Sequence, residues 1–591
     1  MERTKLNWPL LIGFWAVAAA VLAVRAIYSA DRMPLLGDTD DAMRLVVVRD
    51  LLAGQGWYDH IVHRLNTPFG AEIHWSRLVD VPIAGLLILL SPFGDNAAAV
   101  AAYVWPLVLL FVLMWLTARL TLRLVGPAGL LPALALPVLS PAVVAEFSPG
   151  RFDHHSVQIL LTLLLVWCTI EALERPRWAI GAGIAAATAL AIGTESLPTI
   201  ASALIAFGLI WVFRPERADA LRMFGLSFAA ASLVHLAIAW PPDRWFDPMC
   251  DAISIVYVSA AILAGFAFVF LSVMPFGDKS PLVRLAGLAI EGVAAAAIIV
   301  YFFPDCLRGP YAALDPWLVE HWLSRISEAK PLWTSLRDVP DLTVGIALPA
   351  ILALGAIAWR ARRPDAGRWL VFGLYLLVAV AIMVVQVRGG RFADALMPPA
   401  AAAVIASARA AYLARRSIAA IIGLVASWLA FAGVAVLLIA TIGLLPFTGG
   451  TEALDAEAKV ETSKDSCFMP EAFAELAVLP PERVMTPIDL GAHMLAFTPH
   501  AVVAAPYHRN QQGVRDAFRF LNEPIDDARK ILDERGISLV VVCPDFTEMQ
   551  GLPDAAPDSF VKLFAEDRLP AWLVDQSLPG AALRVYAVTR D

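Results

Sequence analysis

Thirteen apolar segments, each close to the length of a membrane-spanning helix, dominate this sequence. A helix needs about 20 mostly apolar residues to cross the hydrocarbon core of a bilayer. The segments that meet this requirement are 9–28, 98–118, 128–146, 156–174, 178–194, 197–213, 223–240, 251–274, 284–303, 342–359, 369–386, 392–411 and 418–446. The shorter run Val81–Leu90 predicts an interfacial or re-entrant helix. The chain is therefore predicted to be a polytopic α-helical membrane protein.

The composition agrees with this class. Of the 591 residues, 59% are hydrophobic and 17% are charged, whereas soluble chains have about 45–50% apolar and about 25% charged residues. This excludes an ordinary cytosolic enzyme, and it excludes a disordered chain, which has few apolar residues. The net charge of −8 gives no reason to expect a nucleic-acid partner.

The distribution of Lys and Arg predicts which loops face the cytoplasm, because short basic loops stay on that side of the membrane. If the N-terminus is cytoplasmic, basic clusters fall in every second turn, at 119–123, 175–177, 214–222, 279–284, 360–368 and 409–416. The segments 29–97, 147–155 and 304–341 are then loops on the outer side of a membrane domain of residues 1–446. We expect a multi-pass protein of a bacterial inner (cytoplasmic) membrane, with a periplasmic C-terminal domain.

Residues 447–591 are polar and rich in Asp, Glu and Pro, which predicts a small soluble domain. Short apolar runs in it predict strands, and the segments between the first two of these runs predict helices. The predicted strands are Ala501–Ala505, Ser538–Cys543 and Val585–Thr589, and the predicted helices are Gly513–Leu521 and Asp526–Arg535. The domain is therefore predicted to be α/β.

Five cysteines in the whole chain are too few for a disulfide scaffold. Cys467 and Cys543 both fall in the predicted periplasmic domain, and an oxidising periplasm permits disulfides. Two interpretations fit this pair: a disulfide bridge and two buried thiols.

The first outer loop carries an acidic run, Gly37-Asp38-Thr39-Asp40-Asp41. Three carboxylates so close together repel one another, and a bound cation would explain them, since hard cations take carboxylate oxygens. The other interpretation is an acidic turn that caps a helix starting near Ala42, because Asp and Thr favour helix N-caps.

The second outer loop carries Gly150-Arg151-Phe152-Asp153-His154-His155. An Asp and a His two residues apart can both face one ion in an extended turn. Ionisable residues at a membrane boundary are functional candidates. The alternative is that His154 and His155 are interfacial residues that extend to water.

Two arginines flank a glycine pair in Arg388-Gly389-Gly390-Arg391-Phe392, at the predicted outer mouth of two spans. The guanidinium fork matches phosphate oxygens, so Arg388 and Arg391 predict a phosphate-binding group, the alternative being anchorage to lipid headgroups. A further outer run, Ser324–Pro331, reads by itself as an ordinary amphipathic loop.

In this order and on one side of the membrane, these features resemble the catalytic subunits of oligosaccharyltransferases, above all the archaeal single-subunit type. This family belongs to the GT-C glycosyltransferase superfamily and has thirteen spans followed by an outer soluble domain. The segments that resemble its motifs are Asp41 with Ala42-Met43-Arg44-Leu45, the stretch Thr67–Trp75, the Asp153/His155 pair, Glu328 in place of the Glu of a (T/S)-x-x-E motif, and Arg391 with Phe392. Arg325 fills the Ser/Thr place of that fourth motif.

The resemblance implies a role for each of these residues. Asp41, Asp153 and His155 would hold a divalent cation, Mn²⁺ or Mg²⁺. Asp41 and Glu328 would orient or deprotonate the acceptor, and Arg391 and Arg388 would bind the donor phosphate.

For a further group of residues, the position in the sequence allows either a functional or a structural role. Asp38, Asp40 and His154 are either supporting groups around the cation or plain surface charge and interfacial residues. His74, Trp75 and His508 are either sugar or phosphate contacts or packing residues.

One departure from the family bears on the acceptor. Members that glycosylate Asn sequons carry a WWDxG motif, which reads the Ser or Thr hydroxyl. The matching stretch here is Thr486-Pro487-Ile488-Asp489-Leu490-Gly491, which keeps Asp and Gly and lacks both tryptophans. The acceptor is therefore left open between a protein site, another sugar and a lipid glycan.

The resemblance thus implies a metal-dependent, inverting glycosyltransferase of the cell envelope. It would transfer a sugar or glycan from a polyprenyl-phosphate or polyprenyl-diphosphate donor among the membrane lipids to a periplasmic acceptor. A second interpretation is a monosaccharide transferase that uses a polyprenyl-phosphate sugar to modify an envelope polysaccharide or lipid. A membrane transporter is the competing class, but its ionisable groups would lie near the bilayer midplane.

Overall fold

The computed structural model describes residues 6–311, 313–444 and 463–589. Within these ranges, nine helices are long and apolar enough to cross a membrane. They are Trp8–Tyr28, Ser91–Leu124, His155–Ala172, Thr194–Phe213, Pro215–Ala239, Ile255–Val273, Pro281–Phe302, Pro340–Arg360 and Ala366–Val385. Each of them coincides with a segment predicted to span the membrane.

Three further predicted spans are helix pairs that bend sharply at a break. The pairs are Pro127–Leu139 with Pro141–Phe147 (74°), Val387–Leu396 with Pro398–Arg415 (50°), and Ile418–Phe431 with Gly433–Leu444 (90°). Pro141 and Pro398 begin the second helix of the first two pairs, because proline lacks the N–H that would continue a helix. If each pair is one span, the described residues contain up to twelve.

The remaining predicted span, 178–194, is the helix Trp178–Ile192 of 15 residues. At a rise of 1.5 Å per residue it is about 22 Å long, which is short of the roughly 30 Å of a hydrocarbon core. The end of the predicted span 418–446 and the first part of the predicted domain 447–591 lie outside the described residues.

Shorter helices fill the loops and the C-terminal residues. Arg77–Leu89 contains most of the run for which a short helix was predicted. The other helices are Thr39–Leu52, Pro316–His321, Leu332–Asp338, Ala474–Ala477, Ile488–Phe497, Gln511–Asn522, Ile525–Arg535 and Phe560–Ala565. Strands β1 (Ile61–Val62) and β2 (Ala71–Glu72) form an antiparallel pair in the first loop.

The C-terminal residues form a five-stranded mixed sheet, which confirms the predicted α/β character. Its strands are β3 (Arg483–Met485), β4 (Ala501–Val502), β5 (Leu539–Val542), β6 (Leu573–Asp575) and β7 (Arg584–Val588), in the spatial order β4-β3-β5-β7-β6. The first three strands are parallel, and β7 is antiparallel to both of its neighbours. Strands β3 and β6 were not predicted, because three residues are too few to show an alternating pattern.

The first loop docks directly onto this sheet region. Arg64 donates hydrogen bonds to the carbonyl oxygens of Leu495 (2.9 Å), Thr498 (2.9 Å) and His500 (3.2 Å), at the C-terminal end of the helix Ile488–Phe497. A cation is favourable there because the last carbonyl groups of a helix lack partners and carry partial negative charge. The backbone of Arg64 also accepts the Val502 amide at 2.8 Å, so the loop extends the edge of the sheet at β4.

Two disulfides tie distant segments together. Cys467 is bonded to Cys543, just after β5. Cys250 is bonded to Cys306, which joins the segment after the helix Pro215–Ala239 to the start of the loop 304–341. The sequence interpretation had considered only the first of these pairings.

The docking contact gives a stability prediction. We expect Arg64→Ala to lower the free energy of unfolding of the C-terminal residues by about 2 kcal/mol, because hydrogen bonds from a charged donor contribute about 1.5–3 kcal/mol. The measurement is the rate of limited proteolysis of residues 463–589 in purified protein over a urea series. Arg32→Ala, at an exposed arginine of the same loop, is the control, and equal proteolysis of the two variants would contradict the docking role.

Candidate active site

The acidic run of the first loop starts a helix, as one of its two interpretations predicted. Asp38 is the N-cap of the helix Thr39–Leu52, and its carboxylate accepts the Asp40 amide at 2.9 Å. Asp40 and Asp41 occupy the first turn, where negative charge is stabilised by the helix dipole. Asp41 is only 1% exposed, so its carboxylate depends on partners inside the protein.

Arg151 supplies the positive charge that these carboxylates require. Its Nη1 lies 2.7 Å from Asp38 Oδ2 and 3.0 Å from Asp41 Oδ2. The second oxygen of Asp41, Oδ1, accepts the amides of Phe152 (2.7 Å) and Asp153 (2.8 Å). Both oxygens of Asp41 are therefore engaged, and an arginine stands where the acidic run had suggested a bound cation.

A set of possible metal ligands follows directly in the second loop. Asp153, His154 and His155 are buried, and one ligand atom from each lies within 4.8 Å of the others. Asp153 Oδ2 is 3.1 Å from His155 Nε2, and Asp153 Oδ1 is 2.5 Å from His154 Nδ1. Burial alone would raise the pKa of Asp153, but the two imidazoles and Arg151 hold it well below its usual range.

This donor set fits a divalent cation. Imidazole nitrogen with carboxylate oxygen suits Mn²⁺ and similar transition metals better than Mg²⁺, which prefers oxygen ligands alone. The structure brings together the predicted ligands Asp153 and His155, adds His154 to them, and leaves Asp41 outside the set.

Eight ionisable side chains form a closed ring around this loop, which we call the charge ring, and their charges alternate when His155 is protonated. Successive pairs are 2.7–3.9 Å apart. In order, the ring runs Arg151–Glu146 (3.3 Å), Glu146–Arg391 (3.2 Å), Arg391–Glu328 (2.7 Å), Glu328–Arg388 (3.9 Å), Arg388–Glu195 (3.4 Å), Glu195–His155 (3.2 Å), His155–Asp153 (3.1 Å) and Asp153–Arg151 (3.8 Å).

The charge ring contains predicted and unpredicted residues. The charge ring brings the Asp153 loop together with three predicted residues that are distant from it in the sequence, Arg388, Arg391 and Glu328. Glu146 and Glu195 were missed, and Arg151 was noted in its motif without a role. A signal was present, because Glu146 ends a predicted span and Glu195 lies in a short outer turn, and ionisable groups at membrane boundaries are functional candidates.

A cavity of about 570 Å³ opens beside the charge ring. One wall holds Glu146, Arg151, Asp153, His155 and Arg391, at the ends of the long helices. Further lining residues come from the loop 304–341, with Trp322, Arg325 and Glu328, and from the C-terminal residues, with Phe518, Asp489 and Glu548. Asp38 and Asp40 also line the cavity, whose size is typical of a small-molecule or sugar site.

His74, Trp75 and His508 form a neighbouring cluster and are not among the described residues that line the cavity. His508 Nε2 lies 2.7 Å from Asp251 Oδ2, which Arg509 Nε also contacts at 2.7 Å. The His74 ring lies 4.7 Å from that of His508. Burial and the neighbouring His508 lower the pKa of His74, and the hydrogen bonds from His508 and Arg509 hold that of Asp251 below its usual range despite burial.

Trp75 connects this cluster with the metal-ligand loop. The Arg44 guanidinium lies 4.1 Å from the Trp75 ring, and the same Arg44 contacts His154 Nδ1 at 3.4 Å and Asp80 at 2.7 Å. A cation on an indole face is a favourable contact that fixes both groups. Trp75 and Arg44 therefore restrict the position of the His154 ring.

The turn before Arg151 gives a prediction about how the loop is held. Gly150 has φ +101°, and an added Cβ would lie 1.8 Å from the Leu35 carbonyl oxygen. We expect Gly150→Ala to push the Asp153 loop away from the first loop and to lower the midpoint of thermal unfolding of the purified protein.

The matched control is Gly126→Ala. Gly126 has a similar φ of +91°, and an added Cβ there meets nothing within 4 Å. Both variants place a side chain at a positive φ, which disfavours any residue with a Cβ, so the additional loss in Gly150→Ala reports the clash with Leu35. Equal midpoints would show that the contact with Leu35 does not hold the loop.

Comparison with known proteins identifies the fold. No protein-family model matches the sequence, and no curated protein matches it. The archaeal oligosaccharyltransferase AglB from Archaeoglobus fulgidus, in complex with an inhibitory peptide and a dolichol-phosphate, is similar in structure, with a TM-score of 0.68 at 12% identity over 98% of this chain and 74% of that chain.

Two further solved structures agree. The Archaeoglobus fulgidus oligosaccharyltransferase tethered to an acceptor peptide with the NVT sequon matches with a TM-score of 0.64 at 12% identity, over 99% of this chain and 74% of that chain. The complex of that oligosaccharyltransferase with Zn and sulfate matches with a TM-score of 0.54 at 14% identity, over 91% and 68%. The chain therefore shares its fold with the archaeal oligosaccharyltransferase, which the sequence resemblance implied.

Proposed function

We propose that this chain, which has the fold of the archaeal oligosaccharyltransferase, is a membrane glycosyltransferase that moves a sugar or glycan from a polyprenyl-phosphate or polyprenyl-diphosphate carrier to an acceptor. Residues 1–446 are the catalytic membrane domain, and residues 447–591 are a periplasmic domain that covers the cavity. The observation that carries the proposal is the charge ring, which unites a cation-ligand set with two arginines at the mouth of the helices.

Asp153 and His155, with His154 beside them, would hold the cation, and the imidazole ligands favour Mn²⁺ over Mg²⁺. When bound, the cation would supply Lewis-acid stabilisation of the charge that develops on the leaving phosphate. The complex of the Archaeoglobus fulgidus oligosaccharyltransferase with Zn and sulfate supports a cation and an oxyanion in a site of this fold.

Arg391 and Arg388 receive the donor phosphate. Both begin a bent helix pair at the end of the long helices, so a phosphate whose tail lies in the bilayer reaches them. Guanidinium groups fixed by other side chains stabilise developing phosphate charge without reorganisation. The dolichol-phosphate in the AglB complex supports a polyprenyl carrier for this fold.

Glu328 exchanges partners in this scheme. It pairs with Arg391 at 2.7 Å and is 48% exposed, whereas Glu146, the other partner of Arg391, is 8% exposed. A phosphate therefore displaces Glu328 more readily than Glu146. The freed Glu328 stays on the cavity wall, where it accepts the proton of the acceptor nucleophile.

Asp41 acts as a positioning residue in our proposal. Its Oδ1 holds the backbone of Phe152 and Asp153, and its Oδ2 holds Arg151. It fixes the loop that carries the cation ligands and does not itself need to touch the cation.

These assignments predict different cation affinities for two carboxylate variants. Asp153→Ala is expected to abolish Mn²⁺ binding to the purified protein, measured by electron paramagnetic resonance, because it removes the anionic ligand. Asp41→Asn keeps an oxygen acceptor for the two amides, so we expect its Mn²⁺ affinity to fall less than about tenfold. Loss of binding in Asp41→Asn together with retention in Asp153→Ala would reverse the two roles.

The proposed exchange of Glu328 for phosphate at Arg391 predicts that substitutions of these two residues change the donor KM in opposite directions. Arg391→Ala is expected to raise the donor KM by about tenfold to a hundredfold, as expected for loss of a charge-assisted contact. Glu328→Gln removes the competitor of the phosphate, so we expect a lower donor KM together with a lower kcat. The measurement is turnover of a radiolabelled polyprenyl-linked glycan with Mn²⁺ or EDTA, and a raised donor KM in Glu328→Gln would contradict the exchange.

A further inference from the structure

The C-terminal residues contribute to the cavity wall a carboxyl group, that of Glu548, in which one oxygen has no hydrogen-bond partner. Glu548 Oε1 accepts the Ile488 amide at 2.8 Å, while Oε2 is buried and has no hydrogen-bond partner among the described residues. Asp489, next to Ile488, lines the same wall. A buried polar atom without a partner is costly, so this oxygen is suited to a ligand that completes its hydrogen bonds.

A hydroxyl group satisfies this site in either protonation state. Burial and the nearby Asp489 raise the pKa of Glu548 well above its ordinary value. A hydroxyl donates to a carboxylate oxygen and accepts from a protonated one, whereas an ammonium group can only donate. The pair therefore matches the chemistry of a sugar, which offers several hydroxyl groups to carboxyl partners.

The two carboxyl groups of this wall narrow the choice of acceptor further. Asp489 and Glu548 both line the cavity, and an acceptor that placed carboxylate or phosphate groups against them would bring like charges together, which disfavours binding. The donor phosphate avoids this wall, because its proposed partners are Arg391, Arg388 and the cation.

The same wall lacks the groups that would read a sequon. Pro487 and Ile488 stand where the resemblance places two tryptophans, and the Ile488 amide is already bonded to Glu548. Trp322 and Phe518 instead line the cavity beside Asp489 and Glu548. Aromatic faces next to hydrogen-bonding carboxyl groups suit a pyranose ring, which has apolar C–H faces and polar edges.

From these observations, and resting on the proposed function, we infer that the acceptor is a neutral glycan whose hydroxyls bind Asp489 and Glu548, and not the asparagine of a sequon. An acceptor hydroxyl oxygen forms the new bond to the anomeric carbon of the donor. The bond from that carbon to the phosphate oxygen breaks, and its electron pair stays on the phosphate. The hydroxyl proton passes to Glu328.

The test identifies the chemical class of the product. Purified full-length protein, Mn²⁺ and the radiolabelled polyprenyl-linked glycan are incubated with the envelope fraction of the source cells, and the product is treated with protease. The donor is first separated from the products, and we expect the label to leave the donor and to enter a different, protease-resistant glycan or glycolipid fraction. Label that protease converts to small peptides, or label that is absent from the resistant fraction, overturns the inference.

Release of phosphate-linked carrier from the donor is followed in the same reaction. If the donor is consumed while the label fails to enter the resistant fraction, the inference falls and the proposed glycosyltransferase activity stands. If the donor is not consumed at all, the proposed function itself falls, and the inference falls with it.

Variants of the wall provide a second readout. Asp489→Asn and Glu548→Gln keep the shape of each side chain, and we expect each to raise the KM for the envelope acceptor by about tenfold, with a smaller effect on kcat. The matched control is Asp545→Asn, an exposed carboxylate close to Glu548 in sequence that bonds to Ser463 and is not among the described residues lining the cavity. Equal acceptor KM values for all three variants would overturn the inference.

Discussion

The charge ring is the interaction on which the rest of the site depends. When His155 is protonated, each member has oppositely charged neighbours on both sides, and Asp153, Glu146 and Arg391 are buried. Removing one of these buried groups would leave its neighbours with uncompensated charge, which is strongly destabilising. The ring therefore fixes the Asp153 loop, the Glu328 loop and the start of the Arg388–Arg391 helix relative to one another.

The sharp bends in the apolar segments make this ring possible. The 74° bend ends in a helix that presents Glu146, and the 50° bend separates the helix of Arg391 from the remainder of its span. Glu146 and Arg391 are both buried, so the bends bring charged side chains to helix ends that protein surrounds.

The C-terminal residues are coupled to the ring through the first loop. His493 Nε2 lies 2.7 Å from the Leu36 carbonyl oxygen, and the Tyr507 hydroxyl donates to the Thr39 carbonyl oxygen at 3.1 Å. Both contacts flank Asp38, which pairs with Arg151 of the ring. Because of this coupling, the wall with Asp489 and Glu548 is held at a fixed distance from the proposed cation ligands.

The sequence alone determined the class of fold and most of the candidate site, because apolar length and the polarity of loops are local properties. It predicted thirteen spans, of which nine are long helices, three are bent helix pairs and one is a helix of 15 residues. It also predicted the α/β character of the C-terminal residues, and Asp153, His155, Arg391 and Glu328 as candidates. Only the tertiary structure decided that Arg151 neutralises the acidic run, that Glu146 and Glu195 close the ring, and that Glu548 faces the cavity. Those outcomes depend on which distant groups meet, and an isolated charge in a sequence does not specify its partner.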